Sequence, residues 1–503
     1  MVTITAWGFD LALTNGVQSL DAFNERFDHP QGARLGLYGA STQLGGAFTI
    51  FVAPFVIQKL GRRAMCFIGS VIIIAMAIME AFAVNFEMFI AGKLLLGFGS
   101  TCCQIAAPVL VTELAYPRQR ARITALYNTS IYIGLILGAW IAYGTRNLPG
   151  DRSWKIPCLL QVVLPAYQCS TIFLCPESPR WLVARGLEEK ARQLLIKHHG
   201  GGIETPGVQA EMEEIMAGIE SDASRVRFNR RDIGNLLSHK GNQHRLLIAT
   251  VVAVGSQCCG SGLISAYLPQ ILDGVGMRST EEKTMINGII NIWTWVVGIA
   301  AGIAIPHVKK RRLFLFSTAG MILTFAVWTA LSAVYSSKGG NQYGIGVVAM
   351  IFVYNFFYGI CWLPLVVAYP LELCTTKQRG LFFSWMFFAL SMSTFAVNYI
   401  NPIGLQNIQW RYYIITIVFT SIVFVVIYFL FVETQGMSLE EIATGKLIAF
   451  GQAPCDQKLT RVLVFDGRDN FEAAISAVHT LEMKASATAD EPGQQLRTDA
   501  RVD

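Results

Sequence analysis

The sequence predicts an all-α membrane protein of twelve transmembrane helices in two pseudo-symmetric six-helix bundles. Three observations carry this. Of 503 residues, 53% are hydrophobic and 15% charged, with a mean hydropathy of +0.44, far below the charged quarter of a soluble protein. Apolar runs long enough to cross about 30 Å of hydrocarbon recur twelve times, six on each side of a long polar segment. Three landmarks also recur in order at a nearly constant offset: the basic clusters Gly61-Arg62-Arg63 and Lys310-Arg311-Arg312, the Glu113–Arg120 and Glu372–Arg379 pairs, and the acidic turns at Glu177 and Glu433. A duplicated unit of about 250 residues is the sequence form of a transporter built from two parallel repeats.

In order, the spans fall near 2–20, 35–57, 64–84, 88–112, 123–144 and 156–175, then 246–272, 284–306, 313–334, 343–368, 381–403 and 411–432. Span 1 is the weakest, carrying Asp10, Asn15 and Gln18 and starting almost at Met1; whether a tail precedes it is left open. The first 20 residues lack a basic region ahead of their apolar run, so no cleavable signal peptide is expected. Short loops after spans 2, 4, 8 and 10 hold Lys59, Arg62 and Arg63; Arg118, Arg120 and Arg122; Lys309 to Arg312; and Lys377 and Arg379, which puts them and both termini in the cytoplasm. The net charge of +6 thus reports topology rather than nucleic-acid binding.

The expected organisation is an N-terminal bundle over 1–175, a cytoplasmic linker over 176–245 with short amphipathic helices, a C-terminal bundle over 246–432, and a cytoplasmic tail over 433–503. Gly200 to Gly202 and Pro206 break the linker helices, and the end of the tail, SATADEPGQQLRTDARVD, is too polar to pack. Most of the 11 cysteines, among them Cys102, Cys103, Cys158, Cys259 and Cys361, lie in apolar runs and read as small buried hydrophobes. His198-His199 reads as a solvated helix end, having no acidic or cysteine partner at ligand spacing. No metal site, cofactor, nucleotide-hydrolysing motif or enzymatic activity is expected.

The chemistry centres on span 4. Lys93 in an apolar segment costs about 2.5–3.5 kcal/mol at a bilayer centre, so it should face protein and have a partner. Gly92, Gly97 and Gly99 let a second helix approach the same segment. Asp10 is the matching intramembrane acid: beside Lys93 it can ionise, and its protonation would release the lysine, a proton-coupled latch. A static ion pair, or an Asp10 at the membrane interface, is the alternative. Mid-membrane polar groups that could bind a substrate are Asn128 (span 5), Gln257 and Tyr267 (span 7), Asn291 (span 8), Asn355 (span 10) and Asn398 (span 11), although each could instead bond a neighbouring helix. Gln257 has the most suggestive context, GSQCCGSGLISAYLPQ, in which glycines open the helix. Trp362, like Trp293 and Trp295, could stack on a sugar face or serve packing.

With these residues placed, the chain resembles the sugar porter family of the major facilitator superfamily, over nearly its whole length to about residue 445. The resemblance rests on Gly61-Arg62-Arg63, Glu113 to Arg120, PESPRWL at 176–182 and VETQGMSLEEI at 432–442. ITALYN at 123–128, SQCCGSG at 256–262, VAYPLEL at 367–373 and VNYINPI at 397–403 look like the filamentous-fungal lactose permease and hexose transporter branch. It implies the major facilitator fold, pairing of the Gly8-Phe9-Asp10 aspartate with a span 4 cation, and sugar-hydroxyl contacts by Asn128 and Gln257. Lys93 stands where the family has arginine, Gln58 and His307 where it has gate aspartates, Lys310 in place of the second glycine, and Ser261 where the branch has asparagine.

The expected function is proton-coupled uptake of a sugar by alternating access, in the plasma membrane, with a cytoplasmic gate of Arg62, Arg63, Glu113, Arg120, Glu177 and Arg180 in one half and Arg311, Arg312, Glu372, Arg379 and Glu433 in the other. Its partners are the small-molecule substrate, protons and the lipid bilayer, with no nucleic acid, and the chain is expected to act as a monomer. The alternatives are carriage of a non-sugar metabolite, given the pocket departures, and a transporter-like nutrient sensor that binds without turnover.

Overall fold

The computed structural model describes residues 1–116, 119–225, 240–373, 379–434, 447–448 and 462–463. Each expected span is helical, because in hydrocarbon the backbone must satisfy its own hydrogen bonds. Spans 1 to 5 are Val2–Gln18, Gly32–Leu60, Arg62–Ala81, Phe86–Leu114 and Arg120–Thr145, and span 6 is Arg152–Leu160 continued by Val163–Thr171. Span 7 is Lys240–Cys258 continued by Ser261–Gly274, and spans 8 to 12 are Thr280–Ala304, Lys310–Lys338, Asn341–Leu373, Arg379–Ile408 and Tyr412–Leu430. Of the tail, Leu447–Ile448 pairs antiparallel with Val462–Leu463. The stretch expected to be unpacked at 486–503 lies outside the described residues, as do Arg118 and Lys377.

The breaks in spans 6 and 7 have local causes. Pro165 has no N–H to return to the carbonyl of Gln161, where span 6 parts. Span 7 parts at Gly260, whose φ of 104° suits glycine. It bends again at Tyr267, two residues before Pro269. The carbonyls freed at the first break accept from span 10: Tyr358 bonds Ser256 O at 3.2 Å and Tyr354 bonds Cys259 O at 3.0 Å.

The C-terminal lobe packs around Phe314, Phe325, Trp328, Tyr354, Trp362 and Tyr369, all buried. A second aromatic cluster, Phe23, Phe27, Tyr38, Phe89 and Trp154, fills the N-terminal lobe at the face opposite the basic loops. Spans 2 and 4 touch backbone to backbone, as the glycines of span 4 suggested: a Cβ on Gly97 would lie 2.0 Å from Thr42 O, and one on Gly45 1.8 Å from Leu94 O.

The lobes are fastened at that opposite face. Asn15 Nδ2 of span 1 donates to Ile264 O (3.2 Å) and Ser265 O (2.8 Å), and Gln18 Nε2 donates to Ala266 O at 3.1 Å. Asn398 Nδ2 reaches Gly39 O at 3.0 Å, and Arg146 pairs with Glu281 at 2.7 Å. The polar residues that weaken span 1 as an apolar run are therefore the donors that close it onto span 7.

The linker carries three helices, Pro179–Ala184, Glu188–His198 and Pro206–Arg225, around a small core of Leu182, Leu195, Val208 and Met212. Trp181 Nε1 donates to Gln58 O at 3.1 Å, which docks the linker on the N-terminal lobe. The expectation for His199 is corrected here. Its ring is buried, with Nδ1 2.8 Å from Glu211 and Nε2 3.3 Å from Leu114 O, because Pro206 starts a helix that returns Glu211 to it, 12 residues on.

Candidate functional site

Asp10 and Lys93 are 3% and 2% exposed, and Lys93 Nζ lies 3.1 Å from Asp10 Oδ1. Both are enclosed by protein. Gln161, placed by the break in span 6, donates to the same oxygen at 2.7 Å. The Tyr38 ring of span 2 lies 5.3 Å from Nζ and gives the ammonium an aromatic face. Two hydrogen bonds, one of them from the ammonium, hold this carboxylate in a site closed by four helices. Removing one partner of such a pair costs about 3–5 kcal/mol, because the other charge stays buried.

At the basic face each lobe builds the same device. Glu177 accepts from the main-chain N–H groups of Arg62 (3.2 Å) and Arg63 (3.1 Å), the start of span 3. Glu433 accepts from those of Lys310 (2.9 Å) and Arg311 (3.3 Å), the start of span 9. A carboxylate on unpaired helix-start donors is favoured by hydrogen bonding and by the helix dipole. Arg62 then pairs with Glu113 at 3.0 Å, and Lys310 pairs with Glu372. Arg63 and Arg311 donate to Phe173 O (2.8 Å) and Tyr428 O (2.6 Å).

These contacts correct the register of the duplication by one residue. Arg62 corresponds to Lys310 and Arg63 to Arg311, so Gly61 corresponds to Lys309, each being the residue before its helix. Lys310 replaces no glycine: it is the cation that meets Glu372, as Arg62 meets Glu113. Arg180 is exposed and rests against the Gly218 backbone, and Arg312 is exposed. The side chains of Arg120 and Arg379 lie outside the described residues.

The candidate substrate groups separate. Asn128 is exposed on span 5, one turn before Tyr132 and three before Trp140. Tyr132 and Trp140 meet span 8, where a Cβ on Gly298 would lie 2.8 Å from the Tyr132 hydroxyl and one on Gly288 3.1 Å from the Trp140 ring. Helical spacing puts Asn291 on the same face of span 8 as both glycines. Its Nδ2, like that of Asn287 one turn away, meets no protein acceptor among the described residues. Asn291 thus lies at the seam between the lobes, and Asn128 is one turn from Tyr132 on the other span that forms it.

Gln257 instead lines a crevice between spans 7, 11 and 12, with Asn401, Tyr412 and Thr416. In the closed face Tyr267 donates to Asn398 O, and Asn398 Nδ2 donates to Gly39 O. Asn355 donates to Ile351 O of its own helix at 2.9 Å. Trp362 is fully buried against Phe314 and donates to Thr318 Oγ1 at 3.3 Å, a packing role.

The model of the family described as "Sugar (and other) transporter" matches residues 1–445. The chain belongs to this family. An MFS-type transporter of Aspergillus oryzae is 28% identical over 87% of this chain and 82% of its own. The H(+)/hexose cotransporter 2 of Parachlorella kessleri is 25% identical over 87% and 83%. The inward open xylose transporter XylE of E. coli superimposes with a TM-score of 0.72 at 16% identity, over 88% of this chain and 97% of that one, a likeness of fold.

For a sugar transporter family member the residues that sequence reasoning missed are Glu80, Gln161, Tyr38 and Asn287. Glu80 had a readable signal: it is an acid inside the apolar run of span 3, SVIIIAMAIMEAFA, and it is 1% exposed. Gln161 and Tyr38 carry no such signal, since only the folded bundle brings them to Asp10.

Proposed function

We propose that this chain is a secondary active transporter that carries a sugar or related polyhydroxy compound together with protons, by rocking its two lobes about a central site. The observation that carries this reading is the buried Asp10–Lys93 pair with Gln161. An acid–base couple is expensive inside a membrane protein, and one whose bond is made or broken by a proton links that proton to the state of the helices it joins. On this reading the face of the basic loops, where span 1 begins and span 12 ends, is cytoplasmic, and the protein works as a monomer in the plasma membrane. With the lobes fastened at the opposite face, the described arrangement is an inward-facing stage of alternating access. Asn128 and Asn291 are the hydroxyl-binding groups at the seam, and Asp10 and Lys93 the coupling pair. The gate residues hold the inner ends of each lobe: Glu177 and Glu433 through helix-start N–H groups, Glu113 and Glu372 through Arg62 and Lys310. The name of the Parachlorella relative, a hexose and proton cotransporter, agrees with this reading.

Carriage of a non-sugar metabolite is the second reading. It is favoured by Ser261 in the place of the branch asparagine, by the packing of Trp362 away from any seam, and by the Aspergillus relative, whose name specifies no sugar. Flux into proteoliposomes from a panel of sugars and polyols, with and without an imposed proton gradient, separates the two. Gradient-driven accumulation of a sugar that disappears in Asp10→Asn is expected; flux confined to non-sugar compounds would replace the first reading with the second.

A further inference from the structure

Glu80 stands in the last turn of span 3, 1% exposed, and its Oε1 meets no protein donor. Its Cγ occupies the place beside Gly92 where a Cβ would come within 2.8 Å, so the glycine before Lys93 makes room for the acid next to the ammonium. Lys93 of span 4 and Asp10 of span 1 are close enough to act on it electrostatically, and it acts in the same way on Tyr38 of span 2 and Cys158 of span 6. Lys93 nevertheless pairs with Asp10, and no Glu80 oxygen lies within ion-pair distance of it. The cluster holds two carboxyl groups for one ammonium.

Away from water an unpaired charge costs several kcal/mol, so one ammonium supports one carboxylate. With Lys93 on Asp10, the cluster has no second cation among the described residues to balance a Glu80 carboxylate. We propose that Glu80 is a second proton-carrying residue, and that Lys93 passes between Asp10 and Glu80 as the transporter cycles. The exchange balances. A proton that binds the Asp10 carboxylate frees Lys93, the ammonium moves to Glu80, and the Glu80 O–H proton leaves as that carboxylate forms. One proton is taken up and one released, the ammonium keeps its three N–H bonds, and the cluster is neutral in both forms. The reverse sequence restores the first form. This rests on the proton-coupled reading above and adds to it a site from span 3.

The test is the carboxylic-acid carbonyl stretch in infrared difference spectra of the full-length protein in lipid nanodiscs at neutral pH, without substrate. The wild-type band assigned to a buried protonated carboxyl is lost in Glu80→Gln. It is lost also in Asp10→Asn, where Lys93 has only Glu80 to neutralise, and it grows in Lys93→Met, where both acids keep protons. A band that survives Glu80→Gln overturns the assignment to Glu80. A band that survives Asp10→Asn shows that Lys93 does not transfer and overturns the exchange, and this variant still holds Glu80 should the first fold poorly. The readout involves no sugar, so an absence of sugar flux would defeat the transport reading while leaving this result standing.

Discussion

The Tyr267 hydroxyl donates to the carbonyl of Asn398 while the Asn398 amide donates to Gly39 O, so two residues of the C-terminal lobe act together on one glycine of span 2. A side chain at position 39 would collide with the hydroxyl, 2.1 Å from its Cβ. Asn398→Ala removes the amide that crosses to Gly39, a loss of about 1 kcal/mol, or roughly fivefold in the opening equilibrium. Leu35→Cys, buried on the same face of span 2, should then react roughly fivefold faster with a membrane-impermeant maleimide. Unchanged labelling would show that this clasp does not hold the face shut.

Lys93→Met takes the cation from Asp10, which must then take up a proton beside Gln161. The apparent melting temperature in detergent should drop by the equivalent of about 3 kcal/mol, and adding Asp10→Asn should recover most of it. Losses that simply add in the double variant would mean that the two charges are not energetically coupled.

The paired helix-start carboxylates predict a symmetric stability effect. Glu177→Ala and Glu433→Ala each leave two main-chain donors without their acceptor, at about 1–3 kcal/mol apiece. Glu→Gln at either position, which keeps an acceptor oxygen, should cost less. Denaturation of the double alanine variant should show near-additive losses, since the sites are in different lobes; strong non-additivity would contradict two independent devices.

Pro269 cannot donate to the carbonyl of Ser265, four residues earlier, and Asn15 supplies that bond from the other lobe. Asn15→Ala should therefore destabilise the protein, whereas Asn15→Ala with Pro269→Ala should recover stability, because the second substitution restores the main-chain N–H that closes the helical bond. Thermal scans of the three variants decide this. Pro269→Ala that fails to rescue would assign the effect of Asn15 to packing.

What was legible in the sequence follows from range. Helix positions were readable because hydrocarbon enforces about 20 apolar residues per crossing, and Lys93 and Asp10 were readable because charge there is so costly. Glu80 had the same signal, close to the end of its run. Tyr267, Asn398 and Trp362 could not be assigned from the chain alone, since an amide or ring at mid-membrane looks the same whether it faces a substrate, the other lobe or a packed interior. The register of the duplication slipped for a related reason. Composition aligns arginines with arginines, whereas folding aligns the N–H groups at the start of spans 3 and 9.

The closure between spans 1 and 7 has side chains on one side and bare peptide oxygens on the other. Residues 264–266 can accordingly drift in identity, adapting to whatever their side chains touch, without altering what Asn15 and Gln18 grasp. The two amides enjoy no such latitude. Relatives that have changed how readily this mouth opens should carry the record of it in span 1, or at the proline that exposes those oxygens.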